Sequence, residues 1–533
     1  MQSPLENDSV KIEVFRLSND GWSIREISER LGISKTSIGD FLRQKTYQAW
    51  WSENQKPIAA GVKDDHHTNI KKLNRRRYIL TSAQNNTFVH TKFFDTLEVA
   101  ADHLDAQILV GTFSYNTNGF QNLEKGDGEW FDPKIKPYIT DEPVQLCEGL
   151  TWFGELNILP TAVNPLSGFH SYSKGGSGIV PHAKMQLESL PTHKTEPCRM
   201  MYTTGAVTLR NYIEKKAGQK ASFHHVFGAL LVEVDDDGDW FVRQLVANSD
   251  TGEFQDLDTY YHPQGVNEGV RVEAINWGDI HVEKLDRNVF HGAMSVDNEN
   301  SMLMQLKPKY QFVHDVLDMK SRNHHNINDP YFRFKQAMVE QQDSVKDDCD
   351  KVNSFLCKIN VDFSRIIVVE SNHDLALKRW LRESDYKNDP VNAIFFLECQ
   401  LAMYKAIARG DDNFSILEHV IKNSNQAHYG ITFLRTDESF RICGDIECGH
   451  HGHLGVNGSR GSIGVYQKLG TRYNIGHSHS AGIKDGVYVA GVSGELDMGY
   501  NEGGSSWSHS HIVTYPNGKR AIITMKDDKW RAL

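Results

Sequence analysis

Five times between residues 270 and 480 the chain runs from an apolar stretch into a short cluster of aspartate, asparagine or histidine. "VEAINWGDIHVEKLD" ends its run in Asp279-x-His281, and "YQFVHDVLD" gives Asp315 and Asp318. "RIIVVESNHD" ends in Asn372-His373-Asp374. "CGHHGHLG" carries His451-Gly452-His453, and "YNIGHSHSAG" carries His477 and His479. Short runs rich in Val and Ile, bounded by turn residues, read as buried strands. Side chains on loops at the carboxyl ends of neighbouring strands converge in one crevice. The pattern therefore constrains the fold to an α/β layout whose strand ends meet at a polar site.

Other features bound the setting. At 533 residues the chain is too long for one compact core, and two to four domains are expected. A net charge of -11 argues against a protein that coats nucleic acid, but a local basic patch would still serve a nucleic-acid substrate. Seven cysteines, an odd number, fit free thiols in a reducing compartment. The start "MQSPLENDSV" predicts no secretory signal, and no run approaches the ~18 apolar residues of a membrane span. A cytoplasmic protein is expected.

Residues 1–46 read as helices. In "WSIREISERLGISKTSIGDFLRQK", Ile24, Ile27 and Leu31 mark one amphipathic helix, and Ile38, Phe41 and Leu42 a second after "LGIS". This resembles the helix-turn-helix of resolvases and transposases, which would present Lys35, Thr36 and Ser37 to the major groove of DNA. A helical hairpin used only for packing is the plainer alternative. Residues 47–77 read as a linker ending in the basic "KKLNRRR", more often a solvated run than a nucleic-acid contact. Residues 78–270 read as a mixed α/β region, opening with a βαβ unit over "YILTSAQNNT", "HTKFFDTLEVAADHL" and "AQILVGTFSYN". "DDDGD" within it predicts a hairpin turn. Residues 271–533 hold the five clusters.

Carboxylate, imidazole and amide oxygen together suit manganese, iron or zinc better than calcium. The order of the clusters resembles the calcineurin-like metallophosphoesterases, whose blocks run D-x-H, G-D-x-x-D, G-N-H-[D/E], H and G-H-x-H. The resemblance implies a β-sandwich core flanked by helices, with two divalent ions. Carried over residue by residue, one ion would be held by Asp279, His281, Asp315 and His479. The second would be held by Asp315, Asn372, His451 and His477, with Asp315 bridging. His373 would protonate the leaving oxygen, oriented by Asp374. Two departures change the backbone entry to the site: His314 and Ser371 stand where the family has glycine. Arg322 in "SRNHHN" is a candidate phosphate clamp. His324, His325, His450 and His453 read first as structural histidines. A zinc knuckle from Cys443 and Cys448 lacks a second cysteine pair, and "GGSSWSHSHIV" reads as a Ser/His-rich turn rather than a hairpin facing the site.

The helix-turn-helix and the "TSAQNNTFVHTKFF" segment resemble the early host-DNA-degradation, first-step-transfer proteins of tailed phages. That implies a manganese-dependent DNase with DNA as partner, working in the cytoplasm of the infected bacterium. No thiolate stands among the candidate ligands, which also favours manganese. Two alternatives stay open: a phosphomonoesterase or cyclic-nucleotide phosphodiesterase with a regulatory amino-terminal domain, and a non-catalytic DNA-binding regulator. Whether the chain forms a homo-oligomer is open too.

Overall fold

A computed structural model describes residues 8–19, 22–43, 70–115, 130–323, 326–424 and 430–532. The chain forms two compact units, Met1–Lys71 and Lys72–Leu533.

The first unit holds three helices, Asp8–Asn19, Ile24–Leu31 and Lys35–Arg43. Local chemistry fixes the second. Ser23 and Glu26 form a reciprocal capping box at its start, and Gly32 takes the left-handed conformation that ends it. Ser34 Oγ then accepts from the Ser37 amide at 3.1 Å and starts the third helix. Val14, Leu17, Ile27, Ile33, Ile38 and Phe41 close a small core. Lys35, Thr36 and Ser37 stand exposed on the first turn of the third helix. Most of the expected linker lies outside the described residues.

In the second unit the βαβ reading holds. Strands Arg77–Gln84 and Gln107–Phe113 pair in parallel, joined through the helix Thr91–Leu104. The basic run before them is engaged in ion pairs: Arg75 with Asp105, Arg76 with Asp236, Arg77 with Glu233. Residues 235–239 form the expected turn between strands Gly228–Val234 and Trp240–Val246, and Lys529 bonds Asp235 and Asp237 from outside at 2.8 and 2.6 Å.

Two larger sheets build the site. A six-stranded sheet runs Ile431–Leu434, Arg365–Val369, Tyr310–His314, Ala274–Asn276, Ser510–Thr514 and Arg520–Thr524 in spatial order. Its first four strands are parallel, Ser510–Thr514 runs antiparallel to them, and Arg520–Thr524 runs antiparallel to Ser510–Thr514. Side chains alternate across it with the two-residue period of a strand. Phe312, Ile367 and Val369 pack against Ile442, Ile446 and Cys448 of the neighbouring sheet. Val313, Ile366 and Val368 face the other way, into a core shared with the helices Val345–Lys358, Ala376–Glu383 and Ile416–Lys422.

The neighbouring sheet has eleven strands, drawn from residues 71–203 and 441–489. Strand Leu187–Leu190 pairs with Gly482–Lys484, so the middle region and the last third of the chain share one sheet. Among the described residues no helix is long and apolar enough to cross a membrane. All seven cysteines are free.

Candidate metal centre

The clusters sit where strands from both sheets end. Asp279 and His281 follow strand Ala274–Asn276, Asp315 follows Tyr310–His314, and Asn372 and His373 follow Arg365–Val369. From the other sheet, His451 follows Ile446–Glu447, and His477 and His479 follow Arg472–Ile475. The approach is close enough to demand glycine at position 476, where an added Cβ would lie 2.1 Å from Asp279 Oδ1. His281, Asp315, His477 and His479 all adopt positive φ, of 47°, 47°, 74° and 56°. Each such non-glycine residue costs about 1–3 kcal/mol and persists where its surroundings over-determine it, as they do at functional sites.

Asp279, His281, Asp315 and His479 are buried and bring one ligand atom each within 4.8 Å of the others. His479 Nε2 stands 3.1 Å from His281 Nε2 and 3.2 Å from Asp279 Oδ2. His281 Nε2 is 3.7 Å from Asp315 Oδ2. Ligand atoms about 2.0–2.2 Å from a shared ion stand roughly 3–3.5 Å apart, so the spacing fits one divalent cation.

Buried polar atoms without hydrogen-bond partners reinforce the fit. They include Asp279 Oδ1, Asp315 Oδ1, Asn372 Oδ1 and the ring nitrogens of His451. Such atoms are costly unless something satisfies them. Burial pushes His451 down to about 3 and His479 to about 4, which keeps both imidazoles in the neutral, ligating form. Burial and the nearby Asp315 hold Asp279 well above the carboxylate range. Burial also opposes ionisation of Asp315, yet His451 and His373 hold its carboxyl well below that range. Two buried carboxylates this close share charge poorly until a cation offsets it.

The second expected ligand set is drawn together more loosely. His451 Nε2 lies 3.3 Å from Asp315 Oδ2, and the rings of His451 and His477 stand 5.2 Å apart. Asn372 and His477 line the same cavity as Asp315.

His373 sits beside this centre, its ring 4.8 Å from that of His281. Its Nδ1 is 2.9 Å from Asp318 Oδ1. Burial alone would lower its pKa, but Asp315 and Asp318 raise it to about 10, so the ring carries a proton. This corrects one expectation. Asp374 does not orient His373 by hydrogen bonding: its oxygens accept from the Leu317 amide and from the amide and hydroxyl of Ser371. Burial and Asp315 push Asp374 up to about 7. Asp374 stitches the turn, with Ser371 taking part where glycine was expected, and Asp318 is the carboxylate that stands against His373. Asp318 itself follows Glu283, which accepts from its amide at 2.8 Å.

Arg322 is a second correction. It is buried, with Asp389 held by a bidentate fork at 2.6 and 2.8 Å and Asp343 at 2.6 Å. It staples the helical flank and does not serve as a phosphate clamp. Breaking one side of a buried pair strands its partner, at about 3–5 kcal/mol. Arg322→Ala is expected to lower unfolding stability by that order in chemical denaturation; an unchanged midpoint would contradict the staple.

His314 is buried against His451, with ring centroids 5.5 Å apart, and neither of its nitrogens has a partner. His450 packs against Tyr473, and His453 stands beside both His451 and His477, at 5.4 and 6.1 Å between ring centroids. His324 and His325 lie outside the described residues. Cys448 Sγ faces Asn276 and Cys443 Sγ faces the Tyr515 carbonyl, so no knuckle forms between them. Among the described residues no cysteine joins a metal-type cluster.

The centre opens into a cavity of about 920 Å³. Residues 186–189 of the middle region form part of its wall, together with Arg460, Lys484, Tyr500 and Trp507. Trp507 stands 4.3 Å from the His479 ring, centroid to centroid. The "GGSSWSHSH" segment therefore faces the site rather than forming a remote turn. The aromatic residue inside a Ser/Gly run was the signal available in the sequence.

No family model matches the chain, and no solved structure matches it. A curated relative, Protein A1 of Escherichia phage T5, is 45% identical over 486 residues, covering 90% of this chain and 87% of the relative.

Proposed function

The chain belongs to the family of Protein A1 of Escherichia phage T5, a bacteriophage protein, and from that premise we propose that it is a calcineurin-like, metal-dependent DNase acting in the infected cell's cytoplasm. The observation that carries the reading is the buried Asp279–His281–Asp315–His479 cluster, with its unsatisfied ligand atoms, beside His373, whose Nδ1 is 2.9 Å from Asp318 Oδ1. The packing of the six-stranded sheet against its neighbour, with helices on its other face, and the order of the five clusters support the same family. Two ions are proposed, the second held by Asp315, Asn372, His451 and His477, with manganese favoured by a donor set that lacks thiolate.

Divalent ions in such a centre neutralise charge on a phosphoryl group and activate water for in-line displacement. The chain's own residues do the rest. Asp279 and Asp315 supply the anionic charge that keeps cations in a buried site. Burial keeps His451 and His479 neutral, so both offer lone pairs, and His281 converges on the same centre. Asp318 engages Nδ1 of His373, which leaves Nε2 as the nitrogen that gives its proton to the departing oxygen. The exposed first turn of the third helix offers Lys35, Thr36 and Ser37 for phosphate and groove contacts.

A phosphomonoesterase or cyclic-nucleotide phosphodiesterase would use the same centre, and a cavity within the size range of small-ligand pockets admits that second reading too. EDTA-stripped protein, titrated separately with manganese, magnesium, calcium and zinc, is to be tested on plasmid DNA and on p-nitrophenyl phosphate. Manganese is expected to restore DNA cleavage and magnesium to serve poorly, since it prefers an all-oxygen octahedron. Full activity in magnesium alone would contradict the histidine-rich centre. Hydrolysis of the monoester with intact plasmid would select the second reading, and no turnover with any ion would leave a non-catalytic regulator.

Removing residues 1–46 is expected to weaken cleavage of long DNA most at moderate salt, because the lost contacts are largely to phosphate. Cleavage unchanged across a salt series would assign the three helices to packing.

A further inference from the structure

The cavity's aromatic wall is built in fixed register with the metal centre. Trp507 and Tyr500 both line it, 5.9 Å apart between ring centroids, and Tyr500 is 45% exposed. The Trp507 segment is held on both sides of the ring. The Ser508 amide donates to the His479 carbonyl at 3.1 Å, and Ser506 Oγ meets Ser480 Oγ at 2.8 Å. Ser505 adds two backbone hydrogen bonds to Thr192, at 2.8 and 2.9 Å. The indole is thus anchored to the loop that carries His477 and His479, and to the middle region. Packing the His479 ring needs only part of an indole, and this one keeps a partly exposed surface in the cavity.

The remaining wall is polar. Arg460 and Lys484 line the cavity; Arg460 is exposed and lies near His477. Lys184 lies near Lys484 and Lys220 with the Asp485 carboxylate beside them, so the charge beyond Lys484 is mixed. Glu188 also lines the cavity, and its carboxylate is 3.3 Å from His170 Nε2. The cations that line the cavity itself are Arg460 and Lys484.

Size decides which form of nucleic acid enters. A cavity of about 920 Å³ is at the upper end of small-ligand pockets, roughly 300–1,000 Å³. It has room for a few nucleotides of one strand. Two paired strands with their phosphates exceed that volume within a few base pairs, so a duplex does not enter it. An aromatic wall suits an unpaired base, because every base offers a stacking face.

Resting on the nuclease reading, we infer that the cavity takes one unpaired DNA strand, with the base beside the scissile phosphate stacked on Trp507 and Tyr500 and the backbone running past Arg460 and Lys484. Cleavage then needs a single-stranded or locally opened site and is tolerant of sequence.

The test uses the full chain with manganese. A single-stranded circle is expected to be cut at least 10-fold faster than a relaxed, covalently closed duplex circle of the same sequence. A short oligonucleotide containing 2-aminopurine is expected to lose fluorescence on binding in EDTA. Trp507→Ala should abolish that quenching and raise KM for the single strand by about 5- to 150-fold, the usual worth of one stacked base, with metal content unchanged. Trp507→Phe should restore most of both. Equal cutting of the two circles overturns the inference, as does a Trp507→Ala protein that loses metal while its affinity for the oligonucleotide is unchanged, since the ring would then only orient His479. If the unaltered protein hydrolyses p-nitrophenyl phosphate but neither binds nor cuts any oligonucleotide, the nuclease reading itself falls.

Discussion

Asp315→Asn is expected to yield a folded protein that no longer retains metal and turns over DNA at least about 10³-fold more slowly, because charge neutralisation by the ions supplies several kcal/mol of the barrier reduction. The expectation follows from position. One Asp315 oxygen, Oδ2, reaches both groups of imidazoles, 3.7 Å from His281 Nε2 and 3.3 Å from His451 Nε2. It is also the buried acid that the surrounding histidines keep ionised. An asparagine keeps the shape and the left-handed backbone, which asparagine tolerates well, so loss of function would not be loss of fold. Thermal unfolding supplies a readout independent of activity. A ligand that binds only the native state stabilises it by RT ln(1 + [L]/Kd). Manganese should therefore raise the melting temperature of the unaltered protein and leave Asp315→Asn unmoved. A variant that still carries two ions by elemental analysis would remove Asp315 as the bridge.

What could be read from the sequence was the information stored locally. The capping box of Ser23 and Glu26 and the helix-ending Gly32 define the second helix within a ten-residue window. The βαβ unit is announced by a change of hydrophobic period. The candidate metal ligands were legible because each stands just after a strand of one of the two sheets, whose ends meet at one site. Pairings over long separations were not legible. Strand Gly482–Lys484 is three residues long and pairs with Leu187–Leu190 nearly three hundred positions earlier, so nothing local marks the shared sheet. Arg322 sits in a polar stretch that invites a ligand role, but its partner Asp389 lies 67 residues away. Asp374 was misjudged for the opposite reason. It adjoins His373 in the chain, but the turn at Ser371 draws its carboxylate back onto the backbone, while Asp318 arrives from the neighbouring strand end.

That exchange of partners shapes the second large effect. His373→Ala is expected to leave metal content intact and to lower kcat on DNA by roughly 10²–10⁴-fold, the usual contribution of a positioned general acid. The loss should depend on the leaving group. A departing sugar hydroxyl needs a proton, whereas p-nitrophenolate leaves without one. The same variant should therefore lose far less on bis(p-nitrophenyl) phosphate than on DNA. Asp318→Asn should reproduce part of the defect with the same dependence on leaving group, because it removes the charge that holds the His373 ring protonated and in place. Asp374→Asn should act differently, through the Leu317 and Ser371 contacts, and so appear as lost stability without selectivity between the two substrates. Equal losses on both substrates for His373→Ala would show that His373 binds the phosphate rather than protonating the leaving oxygen. Loss of metal from that variant would place His373 among the ligands, where it forms a compact group with His281 and Asp318.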